Sequence, residues 1–308
     1  MILTGFADEA AVDLDGQINA TLELGWRNIE SRNMGGKNIH DIPDADFEAA
    51  AEKLRAAGVR VNCFGSTIAN WAKQVTDPFD ITVTEIKRAI PRMQKLGSRH
   101  IRIMSYAVLK DREPDDQMAD ERFRRLREIQ KMFSDAGIVP LHENCMNYGG
   151  MGWTYTLKMI DNVPGLKLIF DTGNPIFTDD RSVPPPYPKQ SAWEFYRQVK
   201  AHVAYVHIKD GTWNAKDNKA DYTFPGEGNG DVKRIVGDLV KSGYDGAFSM
   251  EPHMAVVFHE AEKNQSDTDK KQAEAALRYQ NYVEYGQRFM KILEACGSVA
   301  RNDISSAR

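Results

Sequence analysis

The most limiting feature of this chain is a regular alternation of short apolar runs with longer amphipathic ones, repeated eight times. Apolar runs at 2–6, 26–30, 59–64, 101–106, 138–143, 168–170, 203–208 and 247–250 read as buried parallel strands. Helical spacing fills the intervals at 14–24, 46–57, 81–96, 122–136, 154–160, 191–200 and 232–241, and a last long helix runs from 268 to 295. Most helices stop at a glycine (Gly25, Gly58, Gly97, Gly137, Gly243), the residue that turns left-handed at least cost. Pro91 is expected to kink or end the third helix. Strand–helix alternation calls for a parallel sheet, and eight units favour an α/β fold closed into a (β/α)8 TIM barrel. An open doubly wound sheet would want a glycine-rich phosphate turn after the first strand, and GFADEA is not one. No linker-like stretch separates two periodic halves, so one barrel domain is expected over 1–298, with a tail at 299–308.

Loop lengths give the barrel a working end. Helix-to-strand turns are a few residues long, whereas strand-to-helix loops at 108–120, 174–190, 211–230 and 253–267 are long. In a barrel those long loops crown the C-terminal face, where active sites form. Trp213, Tyr222, Phe224 and the PPPYP run at 184–188 are expected to wall a pocket there.

Four successive strands end in metal-ligand chemistry: VPLHEN at Glu143, LKLIFDTGNP at Asp171, YVHIKD at His207 and AFSMEPH at Glu251. Strand parity turns these inward together with Leu141, Ile169, Tyr205 and Ser249, and puts Lys209 and His253 in the mouth. His142 would point away on an ideal strand. Three carboxylates and an imidazole suit Mn²⁺, and also Mg²⁺, Co²⁺ or Zn²⁺, better than they suit a thiolate-type structural zinc site. The ligand charges sum to about −3, so one glutamate is expected to take up a proton and serve as an acid/base next to a carbonyl. Glu143 and Glu251 are the candidate acid/base pair. Lys209 is a candidate to polarise the carbonyl, and His142 or His253 to protonate a leaving group. Asn174, Glu30, Trp213 and Glu227 are candidate substrate contacts. PGEGNGD at 225–231 lacks the Lys-Ser/Thr of a phosphate loop and reads as a tight loop in which Asp231 caps the next helix. His202 reads as structural; His40, His100 and His259 read as surface or loop residues.

Composition narrows the partners. A formal net charge of −4 argues against a nucleic-acid binder. Cys63, Cys145 and Cys296 form an odd, widely spaced set without a CxxC pair, which points to a reducing, cytoplasmic setting. The start of the chain has no signal-peptide pattern, and no apolar run approaches the ~18 residues of a membrane span.

Taken together, HENC, FDTGN, YVHIKDG, PGEGNGDV and GYDGAFSMEPH resemble the xylose isomerase-like TIM-barrel superfamily over nearly the whole chain. It holds ketose 3-epimerases, inosose dehydratases and endonuclease IV. The resemblance implies a barrel in which Glu143, Asp171, His207 and Glu251 bind Mn²⁺ or a similar ion, with the two glutamates exchanging the substrate proton. One departure is Asn174, where the family's common Asp-x-x-His has its histidine. Endonuclease IV needs a histidine-rich three-metal cluster that this acidic chain lacks. A neighbouring branch, the C-glycoside deglycosidase alpha subunits, eliminates the C1 group of 3-keto-glycosides, sometimes with a small beta subunit. The expected function is therefore proton abstraction next to the carbonyl of a keto-sugar, ending in isomerisation, epimerisation or β-elimination. A sugar-binding barrel without catalysis is the alternative of another class. A homo-oligomer is compatible with the long last helix.

Overall fold

The computed structural model describes residues 1–254 and 267–297. The expected tail, most of the loop after His253, and His259 lie outside the described residues. Eight strands form the sheet: β1 (Ile2–Gly5), β2 (Asn28–Ser31), β3 (Arg60–Phe64), β4 (His100–Ile103), β5 (Val139–Glu143), β6 (Lys167–Asp171), β7 (Val203–Ile208) and β8 (Ala247–Met250). Between and after them run α1 (Leu14–Glu23), α2 (Asp44–Ala57), α3 (Phe79–Leu96), α4 (Ala119–Asp135), α5 (Trp153–Asn162), α6 (Ala192–Val199), α7 (Val232–Lys241) and α8 (Asp267–Ala295). All pairings in the sheet are parallel, in the order β1-β8-β7-β6-β5-β4-β3-β2. A parallel bridge between Phe6 and Glu30 joins the two ends, so the sheet is a nearly closed (β/α)8 barrel.

The strands divide their side chains as alternation requires. Cys63, Leu141, Ile169, Tyr205 and Ala247 pack together inside the barrel. Residues of the other parity, such as Phe170, Val206, Ile208, Phe248 and Met250, join the layer beneath the helices. The inner set is a small apolar plug, and the acids at the strand tips stand above it.

Three local expectations change. Helix α3 runs through Pro91 to Leu96. Pro91 and Lys87, whose carbonyl loses its donor, are both exposed, so water can satisfy that carbonyl. β4 stops at Ile103, and the chain turns with Tyr106 at φ 65°. Two antiparallel hairpins, Asn33–Met34 with Lys37–Asn38 and Gly211–Asn214 with Lys219–Tyr222, stand where only loops were expected. The last helix lies on the barrel beside α1 and α7, burying Tyr282, Tyr285 and Phe289. Among the described residues no helix is long and apolar enough to cross a membrane.

His40 is not a surface residue: it is fully buried, with Nε2 3.2 Å from Thr67 Oγ1. Burial pushes its imidazole down to about 4 from the usual 6.5. The unfolded chain therefore binds a proton that the folded chain refuses, and stability falls as pH drops from 6.5 towards 4. The expected loss is on the order of a few kcal/mol. Urea unfolding of wild type and His40→Gln at pH 7.0, 5.5 and 4.5 checks this; stability profiles that stay parallel exclude it.

Candidate metal centre

Glu143 closes β5, Asp171 closes β6, His207 sits one residue before the end of β7, and Glu251 follows β8 directly. All four are buried, and one ligand atom from each lies within 4.8 Å of the others. What selects those atoms is how the remaining ones are occupied. Glu143 Oε2 accepts from Arg102 at 3.2 Å. Asp171 Oδ1 accepts from the backbone N–H groups of Gly173 and Asn174 at 2.8 and 2.7 Å. His207 Nε2 faces Glu30 Oε2 at 3.0 Å. Glu251 Oε1 is held by Arg32 at 3.3 Å and by His253 Nε2 at 3.2 Å.

One atom of each residue then faces a common centre. His207 Nδ1 lies 3.2 Å from Glu143 Oε1, 3.9 Å from Asp171 Oδ2 and 3.5 Å from Glu251 Oε2. Burial would lower the His207 imidazole, but Glu30 and Glu143 raise it well above its ordinary range, so the ring bridges the two carboxylates as a cation; an ion bound at the centre would take Nδ1 in place of that proton, with Nε2 still held by Glu30. Three oxygens and one nitrogen, each held in place from outside, make a donor set that could hold a hard or borderline divalent ion.

Cations surround the set. Lys209 Nζ sits 2.9 Å from Asp171 Oδ2 and 3.0 Å from Glu251 Oε2, touching two of the four inward atoms. Arg102 and Arg32 grip the glutamates from behind, and the ring of Phe6 lies between them, 5.0 and 4.5 Å from their guanidinium carbons and edge-on to His207 at 5.1 Å. Burial alone would raise every carboxyl here. Arg102 and His207 nevertheless hold Glu143 below the usual range, and Lys209 and His253 hold Glu251 well below it. Asp171 goes the other way: burial, with Glu251 and Glu143 adding to it against the pull of Lys209, pushes it up to about 7. Three carboxylates crowd one buried space, and Asp171 is the last of them to ionise.

The other expected residues separate into those at the cluster and those away from it. Asn174 Nδ2 donates to Glu143 Oε1 at 3.3 Å. Glu30 is fully buried, as the outer partner of His207. His253 is clamped between Glu9 Oε1 at 3.0 Å and Glu251, in a left-handed backbone (φ 49°) that a non-glycine residue holds only under constraint. His142 faces away: its Nε2 is 3.0 Å from Ser105 Oγ, its ring backs onto Gly149, and no contact reaches the cluster. Glu227 is paired with Arg288 of α8, away from the cluster. Trp213 stacks under Lys189 at 3.8 Å on the rim, and Tyr222 packs edge-on to His253 at 5.1 Å. Arg32, Arg102, Glu9 and Phe6 were not anticipated. A buried arginine in the apolar run HIRI was the available signal for Arg102.

The glycine-rich loop wraps a carboxylate of the chain itself. Asp210, fully buried one residue after Lys209, accepts backbone N–H bonds from Gly211, Gly226, Gly228 and Gly230 at 2.9, 2.7, 3.1 and 2.8 Å. A Cβ at Gly228 or Gly230 would meet Asp210 Oδ1 at 2.4 or 2.9 Å, which is why this approach needs glycine. Asp231 takes the N-cap position of α7 without a side-chain cap bond, so its expected capping role is withdrawn. The cage fixes Lys209, whose N–H and carbonyl both bond Thr172 Oγ1, at 3.0 and 2.6 Å. Asp210→Ala leaves four backbone donors unpaired, those of Gly211 and Gly230 buried and those of Gly226 and Gly228 half-buried, and is expected to cost about 3 kcal/mol or more. Thermal unfolding should show a clear fall in Tm; an unchanged Tm would mean the loop stands without its anion.

Comparison with known proteins follows from this geometry. A family model described as xylose isomerase-like TIM barrel matches residues 18–281. Among curated proteins, none matches the sequence. Among solved structures, a D-tagatose 3-epimerase-like protein superposes with a TM-score of 0.68 at 15% identity, covering 96% of this chain and 98% of that one. A xylose isomerase-like TIM barrel protein from Mycobacterium smegmatis in complex with magnesium gives 0.64 at 15% identity, with 95% and 97% covered. D-allulose 3-epimerase from a Methylomonas species, in complex with D-allulose, gives 0.62 at 15% identity, with 94% and 96% covered. At these identities the likeness is one of fold.

Proposed function

The chain belongs to the xylose isomerase-like TIM-barrel family, and from that membership and the buried cluster we propose that it is a divalent-metal-dependent carbohydrate enzyme that moves a proton next to a carbonyl. The observation that carries this reading is the set of four inward atoms. Each belongs to a residue whose other polar atom is held from outside, so the four converge on one buried centre, which Lys209 flanks. A divalent ion bound there would supply Lewis-acid stabilisation of adjacent carbonyl and hydroxyl oxygens as charge develops on them.

The chain's own residues supply the rest. Glu143 and Glu251 enter from strands on either side of the β6–β7 pair, so two carboxylates flank whatever sits at the centre. Each is a candidate to take a proton from the carbon beside the carbonyl and return it. Lys209 is placed to donate to a substrate oxygen once it leaves Asp171 and Glu251. Burial would lower His253, but Glu251 and Glu9 raise it to about 9, so its imidazole is protonated at neutral pH and stands as a proton donor 3.2 Å from Glu251. His142, turned towards Ser105, has no part in this scheme.

NMR in D₂O with the Mn²⁺-loaded protein tests the proposal on D-fructose, D-psicose and 3-keto-glucosides. Deuterium should enter the sugar with wild type. It should fall by roughly 10²-fold or more with Asp171→Asn, which should also lower metal content. Unchanged exchange and metal content in Asp171→Asn would sink the reading. A second reading, β-elimination, is favoured by a cleft beside Cys145 that proton transfer on a monosaccharide does not require. Release of the aglycone from a 3-keto-glucoside identifies it.

Lys209 separates binding from turnover. Lys209→Met removes a positive charge about 3 Å from two inward oxygens and is expected to raise affinity for Mn²⁺ by roughly tenfold or more while lowering exchange. Calorimetry and the D₂O assay on the same preparation check both; no change in either removes Lys209 from the site.

A further inference from the structure

A second group of ligand-type side chains shares no residue with the first cluster. His40 and Asp41 follow the short strand Lys37–Asn38 in the connection between β2 and α2, and Glu85 stands in the second turn of α3. One ligand atom from each lies within 4.8 Å of the others. Two of these side chains carry a polar atom that the chain does not satisfy. His40 Nδ1 and Glu85 Oε2 are buried and have no hydrogen-bond partner among the described residues. The residues are only 0% and 8% exposed, so bulk water does not serve those atoms. Native chains seldom bury a polar atom without a partner, and two in one cluster point to an occupant.

The remaining atoms of the three are held from outside. His40 Nε2 lies 3.2 Å from Thr67 Oγ1, and the Thr67 N–H approaches the same nitrogen at 3.5 Å. A ring that gives its Nε2 proton to the hydroxyl leaves Nδ1 with its lone pair, and a fixed outer partner of this kind is what a metal-bound imidazole carries. Glu85 Oε1 pairs with Lys73, which also donates to the Thr67 carbonyl at 2.7 Å. Asp41 Oδ1 meets Arg88 at 3.0 Å and stands 3.8 Å from His40 Nδ1, too far for a hydrogen bond. Arg92 is taken up by the carbonyls of Ile39 and Ile42 and by Asp44. These cations leave Glu85 under-compensated: burial raises it above its ordinary range against the pull of Lys73. A water brings two protons to an imidazole nitrogen and two carboxylates, whereas one divalent ion serves all three. Asp41, with 38% of its side chain exposed, opens the place to solvent and gives an ion its way in.

We propose that His40, Asp41 and Glu85 form a second divalent-cation site, in which Nδ1 and one oxygen of each carboxylate bind Zn²⁺ and water completes the coordination beside Asp41. One imidazole with two carboxylates suits zinc, and three protein ligands leave a position open for that water. The ion ties the connection after β2 to α3. Its outer partner Thr67 follows Ser66, whose hydroxyl donates to the carbonyl of Arg102 at 2.5 Å, so the tie also steadies the strand from which Arg102 reaches Glu143.

Zinc binding to the chelator-stripped full-length protein tests this without any turnover. Crystals equilibrated with Zn²⁺ should give an anomalous peak at the zinc edge within ligand distance of His40 Nδ1 and Glu85. Elemental analysis after dialysis against Zn²⁺ should count one zinc fewer per chain in His40→Gln than in wild type. Asp171→Asn, which alters only the first cluster, should keep the peak at His40, so a failure of the first centre to hold metal is told apart from a failure of the second. Because a buried substitution can prevent folding, Asp41→Asn and Thr67→Val repeat the measurement from the edge of the site. Each is expected to weaken zinc affinity there about tenfold or more, as loss of a ligand or of its outer partner does. Zinc found only at the first cluster, water alone at His40, or zinc affinity unchanged by Asp41→Asn and Thr67→Val would each overturn the proposal.

Discussion

Everything at the mouth of this barrel depends on one electrostatic constraint: several carboxylates must share a buried space without pushing the strand tips apart. Burial of a lone carboxylate is expensive, and three facing each other are worse. The chain meets the constraint with counter-charges placed outside the cluster. Arg102 grips Glu143, Arg32 grips Glu251 and Glu9, the amide donors of Gly173 and Asn174 grip Asp171, and Glu30 grips the far nitrogen of His207. Since each outer partner takes one atom, the opposite atom can only face inward. The geometry of a ligand set thus follows from where its satisfied atoms are.

Much of this was legible in the sequence. The eight strands and their helices appear close to the positions read from periodicity, because alternation and glycine stops are local signals. Glu143, Asp171, His207 and Glu251 come together because strand tips in a barrel converge, so a tip residue's neighbours follow from topology alone. What could not be read was long-range. Arg32 reaches Glu251 across 219 residues of sequence and Glu30 reaches His207 across 177, and no local pattern encodes either pair. The sequence-level charge tally of the ligands therefore overstated the site's imbalance by leaving out Arg32, Arg102 and Lys209. His142 and Glu227 were assigned by proximity in sequence. Strand parity turned the first towards Ser105, and Arg288 of the last helix holds the second.

The glycine-rich loop is tight, as its sequence indicated, but Asp210 and not Asp231 is the acid that matters in it. Its composition suits an anion, and it does enclose one, but the anion is Asp210 of the same chain. An internal carboxylate in a nest of N–H groups gives the long loop between β7 and α7 a fixed anchor directly behind Lys209. That anchor connects loop composition to site geometry, since Lys209 can hold its place between Asp171 and Glu251 only if the backbone after His207 does not move.

Asn174 brings these threads together. An asparagine can neither give nor take a proton near neutral pH, but here it ties two of the clustered carboxylates at once. Its side chain donates to Glu143 Oε1 and its backbone N–H to Asp171 Oδ1. The side chain and its own amide thereby brace the β5–β6 side of the site. On the opposite side, His253 is held charged against Glu251 in a backbone conformation it would not adopt freely, with Glu9 holding it from behind. One flank of the cluster is thus held by a neutral amide and the other by a charged imidazole, so Glu143 and Glu251 face the same centre in different electrostatic settings.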